Sequence, residues 1–376
     1  MILTQQKQDS FDTGIPMIQL NTYRFSGTPE QIGHAHGEEL RDSIQHFVQI
    51  RLDAALNYFQ GEGLKANSVL DGLRSTGQAC YQIFADWDPE GLLEHNAIAA
   101  AAGVDPVDLY TATNYTDVRD AYMLTGSTPD AEGCSALMIP ANHTKSNSIL
   151  AGQTWDLNPE DIDYVVAIQA KPDNGPTRWS VQLAGCLSLM GMNSSGLTVG
   201  TTNLKTWDSK PGIGYLNLIH RALRCQTLDE AAQRISEAPK SGAHSYFLAD
   251  QHQAVRFEVT GFNHDHQSLA QSPMGWTNHC LTPAHQAKEY EPATPSSLAR
   301  IQRLNALFES SKGFDIATIK SIFANREDGI NSINRYPEDK SYATTNACMI
   351  ADPENRILHA CRGPSDKGEW LELTFN

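Results

Sequence analysis

Residues 130–157 read DAEGCSALMIPANHTKSNSILAGQTWDL, and the fold can be worked out from this stretch. SALMI and ILAGQTWDL are apolar runs of strand length, and the polar segment PANHTKSNS between them has the composition of a turn. A β-hairpin therefore begins at Cys134, where a polar loop with proline and glycine changes directly into a strand. A cysteine at such a boundary differs from the usual buried thiol.

The chain changes character near residue 125, and helical patterns prevail before it. Residues 28–31, TPEQ, read as a capping box with proline at the first helical position. The apolar spacing that follows predicts one long amphipathic helix through Phe59. Residues 89–102 and 105–122 read as further helices.

Strand patterns dominate after Cys134, and helical segments interrupt them. The predicted helices are GYLNLIHRALRC, AAQRIS, SSLARIQRLNALFESS and DIATIKSIFA. The later predicted strands are YVVAIQA, WSVQL, GLTVGTTNL, the hairpin SYFLADQHQAVRFEVT, YATTNACMIA, RILHACR and WLELTF. Sheets packed face to face, with helices outside them, would bury the apolar faces of these strands and helices. We therefore predict an α+β layered fold in a single domain over residues 1–376.

The composition limits the partners and the compartment. Asp plus Glu number 44 against 28 Lys plus Arg, for a formal charge of −16, which argues against nucleic acid and anionic membranes as partners. The sequence shows no signal-peptide pattern and no apolar run of the roughly 20 residues that a membrane span needs. Seven cysteines without CxxC pairs indicate a reducing compartment. We expect a soluble, cytoplasmic protein.

The position of Cys134 suggests a way to activate its thiol. If the peptide bond before it breaks, the freed α-amine becomes a base beside that thiol, so one residue supplies both nucleophile and base. Gly133 has no side chain to obstruct attack on its carbonyl, and it tolerates the backbone angles of a strained scissile bond. We therefore predict self-cleavage between Gly133 and Cys134.

A resemblance to a known family extends this prediction. EGCSALMI and AGQTWDLN resemble the Cys-type N-terminal nucleophile (Ntn) hydrolases, most closely the family of acyl-coenzyme A:6-aminopenicillanic acid acyltransferase. The likeness is more distant to choloylglycine hydrolase and penicillin V acylase. PEQIGHAHGEEL resembles the propeptide region of the family, and its later elements match, in order, MGMNSSGLTVGTTNL, WTNHCL and TTNACMIADPENRILHACRGPSD.

The resemblance implies a four-layer αββα sandwich, the Ntn-hydrolase fold, with two antiparallel sheets between helical layers. Residues 1–133 correspond to the α-subunit or propeptide, and residues 134–376 to the β-subunit with the N-terminal nucleophile. The two cleaved pieces are expected to remain associated, and a homodimer is left open.

The resemblance also assigns site residues. It makes Cys134 the nucleophile and Asp156 the acid that orients its amine. It makes Asn203 and Asn278 the donors that stabilise the developing oxyanion. The spacing supports Asp156 independently, because one turn between two strands returns the second strand beside the start of the first.

The resemblance identifies two further site positions less precisely. The site arginine is Arg300, in SSLARIQR, or alternatively Arg335, in SINRY, with Arg300 slightly favoured. Ser245 stands where relatives often carry Asn, and we predict that it contacts the substrate.

The predicted function is hydrolysis of linear N-acyl amide bonds of a small molecule through a Cys134 acyl-thioester, without a metal or an organic cofactor. One alternative is an acyltransferase that passes the acyl group to an amine, and another is an inactive, uncleaved binding protein. A metal site formed from five candidate ligands is disfavoured because no zinc-type spacing links them, and because the first two cannot share a helix face. These candidates are His34, His36, His279, Cys280 and His285.

Overall fold

A computed structural model describes residues 17–61, 65–123, 133–339 and 343–375. Its strands, β1 to β14 in chain order, are Asn21–Gly27, Gly133–Ile139, Leu150–Leu157, Val165–Pro172, Arg178–Leu183, Met190–Asn193, Thr198–Leu204, Ala243–Ala249, Ala254–Val259, His264–Ser268, Met274–Trp276, Thr344–Asp352, Ile357–Arg362 and Leu371–Leu373. Its α-helices, α1 to α11, are Pro29–Glu39, Arg41–Gly61, Ala66–Trp87, Pro89–Ala102, Pro106–Thr113, Tyr115–Tyr122, Tyr215–Leu223, Leu228–Glu237, Pro283–Gln286, Pro295–Ser310 and Ile316–Phe323.

The strands form two sheets that pack on each other. One sheet has the order β1-β4-β5-β6-β7-β8-β9-β10, and the other has the order β11-β2-β3-β12-β13-β14. β7 packs against β2 and β3, and the Gln153 side chain in β3 bonds both backbone groups of Thr201 in β7, at 2.6 and 2.9 Å. Helices α7 and α8 cover the first sheet, while α10 and α11 cover the second. This four-layer α+β arrangement confirms the predicted fold class.

One edge of the larger sheet differs from the expectation of two antiparallel sheets. β1 runs parallel to β4, with Asn21 opposite Val166, so the larger sheet is mixed. No strand was predicted before Cys134, so β1 was not expected. Among the described residues this strand pairs only with β4, and its side chains alternate between exposed and partly exposed, so no buried apolar run marks it in the sequence.

The predicted long N-terminal helix is two helices. The capping box is present as expected, with the Thr28 side chain accepting from Gln31. However, α1 ends at Glu39 and α2 begins at Arg41, because Leu40 leaves helical geometry with φ −110° and ψ 21°. The segment predicted as one helix over 105–122 divides in the same way, into α5 and α6.

Two glycines explain why α1 cannot simply continue into α2. A Cβ on Gly33 would lie 2.2 Å from the Glu94 carbonyl oxygen, and one on Gly37 would lie 2.4 Å from that of Ile98. The backbone of α1 therefore rests directly on α4. Helix α2 packs on α3, α4 and α5, and the two helices are separated at Leu40. Within the described part of the chain, no helix combines the length and apolar character needed to cross a bilayer.

Candidate active site

Cys134 is the second residue of β2 and is held by its backbone. It is 4% exposed, and its N–H donates to Oδ1 of Asn278 at 2.7 Å. Its carbonyl oxygen accepts from the guanidinium of Arg300. The residue before it, Gly133, is paired with Asp156 on β3, as the predicted hairpin requires. The bond between Gly133 and Cys134 is thus flanked by side chains from three other elements.

The Asn278 carboxamide makes three hydrogen bonds. Its Oδ1 accepts from the Cys134 N–H and, at 2.9 Å, from Arg300. Its Nδ2 donates to the Asn203 carbonyl oxygen at 3.0 Å. An amide nitrogen carries two hydrogens, so one hydrogen of Nδ2 is not used by this bond. Asn278 thus makes the contact with the Cys134 nitrogen that the resemblance assigns to Asp156.

A polar clamp fixes Asn278 in place. Thr277 donates from its hydroxyl to the Ser297 carbonyl oxygen at 3.0 Å, and the Asn278 N–H donates to the Ser297 hydroxyl at 3.0 Å. The hydroxyl of Thr202 in β7 donates to the Thr277 carbonyl at 2.9 Å. Thr294 caps α10 by accepting from the Ser297 N–H. Thr277 and Ser297 act through Asn278 and were not predicted as site residues, although Thr277 lies in the matched element WTNHCL.

Both candidate arginines reach the site, at different places. Arg300 is 1% exposed and also donates to the Ser135 hydroxyl at 3.1 Å. Arg335 places Nε 3.7 Å from Asp156, and a Cβ on Gly133 would lie 2.8 Å from its Nη1. Burial lowers the pKa of Arg300, and the nearby charge of Arg335 lowers it further. Arg300 thus serves the Cys134 side of the bond, and Arg335 covers the Gly133 side.

Asp156 is a fully buried carboxyl group opposite Gly133. Burial raises its pKa, while the charges of Arg335 and Arg300 and the hydroxyls of Thr345 and Thr154 oppose that shift. Within the described residues, neither carboxylate oxygen makes a hydrogen bond of standard geometry, so the two threonine hydroxyls act only at longer range. The protonated form of Asp156 is therefore favoured more than that of an exposed carboxyl.

A small cavity connects several of these residues. Its wall is formed by Thr116, Cys134, Trp155, Asp156, Leu157, Thr201, Asn203, Tyr215 and His244. A second small cavity shares Asn203 and also contacts Asn278. Ser245, the predicted substrate contact, is buried in β8 and lines neither of these two cavities, whereas its neighbour His244 lines the first.

The histidines considered as metal ligands have other neighbours. His36 accepts from the Gly185 N–H at 3.0 Å, and His285 lies 3.1 Å from the carboxylate of Glu258. His34 is exposed beside Glu38 on the same helix. Across residues 17–61, 65–123, 133–339 and 343–375, no three His, Cys, Asp or Glu side chains gather as metal ligands do.

Comparison with known proteins reveals relatives along most of the chain. The curated acyl-coenzyme A:6-aminopenicillanic-acid-acyltransferase 40 kDa form of Emericella nidulans is 24% identical over 356 residues, covering 93% of this chain and 95% of the relative.

Two solved structures are also similar. A mutant of the conjugated bile acid hydrolase from Clostridium perfringens is 13% identical, with a TM-score of 0.40 over 65% of this chain and 97% of that one. Penicillin V acylase from Agrobacterium tumefaciens is 13% identical, with a TM-score of 0.40 over 64% and 86% of the two chains. The family described as acyl-coenzyme A:6-aminopenicillanic acid acyl-transferase matches residues 142–367, more than half of the chain. The chain therefore belongs to the acyl-coenzyme A:6-aminopenicillanic acid acyl-transferase family.

Proposed function

We propose that the protein cuts itself between Gly133 and Cys134 and then hydrolyses N-acyl amides with the freed Cys134 as nucleophile. One observation carries the proposal. The backbone N–H and carbonyl of Cys134 are both held by side chains, those of Asn278 and the buried Arg300, beside a cavity that Cys134 itself lines. A structural cysteine needs no such arrangement.

Self-cleavage would begin with attack of the Cys134 thiol on the carbonyl carbon of Gly133. The bond between that carbon and the Cys134 nitrogen breaks, the nitrogen takes the thiol proton, and a thioester joins Gly133 to Sγ. Water then hydrolyses the thioester, leaving a carboxylate on Gly133 and a free thiol and amine on Cys134. Asp156 and Arg335, which lie against Gly133, are the groups placed to assist this step.

Turnover would use the same thiol. The α-amine of Cys134 takes the thiol proton, and the thiolate attacks the amide carbonyl of the substrate. The oxyanion that forms accepts hydrogen bonds from the carboxamides of Asn278 and Asn203. The amine product leaves with a proton, and water then releases the acyl group from Sγ as a carboxylic acid. Asn278 also keeps its bond to the Cys134 nitrogen, which holds the base beside the thiol.

The two pieces would remain together after the cut, because buried polar contacts and a strand link them. Arg178 donates to the Glu94 carboxylate at 2.6 and 2.8 Å, and both side chains are buried. Arg51 donates to Asp161 at 2.8 Å, also in the interior. β1 is hydrogen-bonded to β4 along its length. Separating the pieces would also expose to water the apolar core that residues on both sides of the cut share.

The decisive experiment follows cleavage and turnover in one preparation. Denaturing gels and N-terminal sequencing should show a piece of residues 134–376 that begins with Cys134. Cys134→Ala should abolish both the cut and the hydrolysis of N-acyl p-nitroanilides. Cys225→Ser is the matched control, because that thiol does not line the cavity. An active protein that migrates only as the full-length band would refute the proposal, and an uncut, inactive protein would favour the binding-protein alternative.

A second candidate function is transfer of the acyl group from Cys134 to an amine. The name of the family and that of the Emericella nidulans relative favour it, since both describe an acyltransferase. Water and amine would compete for the same thioester. Adding an amine acceptor such as an amino acid amide should therefore divert product from the free acid to a new amide, as resolved by mass spectrometry.

A further inference from the structure

A buried histidine shares the cavity of the candidate nucleophile and has no role in the proposed chemistry. His244 is 2% exposed in β8 and lies directly opposite Asn203 in the sheet register. Side chains at paired positions share one face of a sheet, so His244 stands beside a proposed oxyanion donor. The cavity that both residues line also contains Cys134.

A carboxylate fixes the orientation and tautomer of this histidine. Nε2 of His244 lies 2.7 Å from Oδ1 of Asp117, and both side chains are buried. The other oxygen of Asp117 accepts the backbone N–H of Tyr215 at 2.7 Å, and the Tyr215 ring stacks on the imidazole at 4.8 Å. An ionised carboxylate only accepts hydrogen bonds, so Nε2 carries the proton. In the neutral ring, Nδ1 is then an acceptor.

Nδ1 is the polar atom of His244 that remains for a ligand. It is buried and has no hydrogen-bond partner within the described residues. A buried acceptor without a partner is destabilising, and a donor from the substrate would satisfy it. The acyl group remains attached to the Cys134 sulfur after the amine leaves. We therefore assign the cavity that Cys134 lines to the acyl group.

We infer that His244 recognises a hydrogen-bond donor, a hydroxyl or an amino group, on the acyl part of the substrate. The inference rests on the proposed amide hydrolysis and specifies its substrate class. Trp155 and Tyr215 in the cavity wall suit an apolar or aromatic body on the same acyl group. Asp117 is a positioning residue that sets which ring nitrogen accepts.

Four p-nitroanilides that differ only at the acyl α-carbon test this inference: phenylacetyl, mandelyl, phenylglycyl and O-methylmandelyl. The hydroxyl and amino probes carry a donor, the ether carries only an acceptor, and phenylacetyl carries neither. The expected result for the wild type is a kcat/KM at least about tenfold higher for the better donor probe than for phenylacetyl and the ether. An equal gain with the ether would mean that the ring donates, and would overturn the inference.

Two substitutions separate the roles of the ring nitrogens. His244→Gln places an amide nitrogen where Nε2 lies, so it keeps the Asp117 bond and loses the acceptor. His244→Asn places a carbonyl oxygen near the position of Nδ1, so it keeps the acceptor and loses the Asp117 bond. The donor preference, as a ratio of kcat/KM values, should fall to about one in His244→Gln and persist in His244→Asn. His359→Gln, the same substitution at a β13 position that lines neither cavity, should leave this ratio as in the wild type.

The outcomes distinguish a failure of the His244 inference from a failure of the proposed hydrolysis. Cleavage of phenylacetyl p-nitroanilide by the wild type and not by Cys134→Ala supports the proposed function whatever the donor preference. If the wild type shows no preference, or if His244→Gln keeps it, only the His244 inference is overturned. If no probe is cleaved by protein that begins at Cys134, the proposed hydrolysis is overturned together with it.

Discussion

Asn278 has two roles in the geometry of the site, and substitution can separate them. Its Oδ1 holds the Cys134 N–H at 2.7 Å and accepts from Arg300 at 2.9 Å, while its Nδ2 supplies the proposed oxyanion donor. Asn278→Asp keeps an acceptor for both of those bonds and removes the donor. Asn278→Ala removes the acceptor and the donor together. The pair of variants therefore compares loss of Nδ2, including its bond to the Asn203 carbonyl oxygen, with loss of the whole carboxamide.

The expected magnitudes follow from these contacts. One oxyanion donor contributes about 3 kcal/mol, so Asn278→Asp should lower kcat by roughly 10²- to 10³-fold with a smaller effect on KM. Asn278→Ala also loses the hydrogen bond to the Cys134 nitrogen, about 1 kcal/mol, and should be slower by a further factor of roughly five to ten. Both variants should keep the fold, because the side chain lies in a loop between β11 and α9.

The assay must count only cut molecules, because the same groups face the self-cleavage site. Turnover of an N-acyl p-nitroanilide is divided by the amount of chain that begins with Cys134, as determined by N-terminal sequencing. The rate of iodoacetamide labelling of Cys134 reports whether its thiol is still correctly placed. If Asn278→Asp turns over at the wild-type rate while its thiol labels normally, Asn278 only positions Cys134 and the oxyanion assignment is refuted.

Three further predictions concern the surroundings of the cut and the interior. Gly133→Ala should slow the appearance of the 134–376 piece on gels, because its Cβ would displace the Arg335 guanidinium. Asp156→Asn should remove the acidic limb from the pH profile of turnover. In the wild type this limb should lie above pH 3.8, the ordinary pKa of an aspartate, because burial raises the pKa of Asp156. Asp161 has a pKa raised to about 6 by burial, so its stabilising contribution is present below about pH 4 and is lost as the pH rises through 6. Relative to Asp161→Asn, the wild type should therefore lose about 3 kcal/mol of unfolding free energy over this range in urea titrations.

Local sequence patterns correctly predicted the helices and strands whose ends are marked by turn or capping residues. The hairpin of β2 and β3 was correct because apolar runs and turn residues mark both of its strands, and the capping box at Thr28 defined the start of α1. The break at Leu40 has no comparable marker, since neither proline nor glycine occupies it. It depends on the close approach of α1 to α4, which only the folded chain shows.

Some site residues could likewise be predicted from the sequence around them, whereas others depend on contacts between distant parts of the chain. Cys134 was predicted from its place at the start of a strand, and the resemblance supplied Asp156, which the spacing supports, together with Asn203, Asn278 and the choice of Arg300 or Arg335. Their proposed roles remain predictions. His244 was not found, although Ser245 beside it was named. Its partner Asp117 lies 127 positions away in a helix whose sequence gives no sign of the contact.

The parallel edge strand β1 has a consequence for how the protein would recover from unfolding. In the uncut chain, β1 reaches β4 within one molecule, and only loop closure opposes the meeting. Once the bond before Cys134 is cut, the same pairing requires two polypeptides to find each other, so refolding becomes second order and slows on dilution. The mature enzyme would then depend for its lifetime on how slowly it unfolds rather than on how well it refolds.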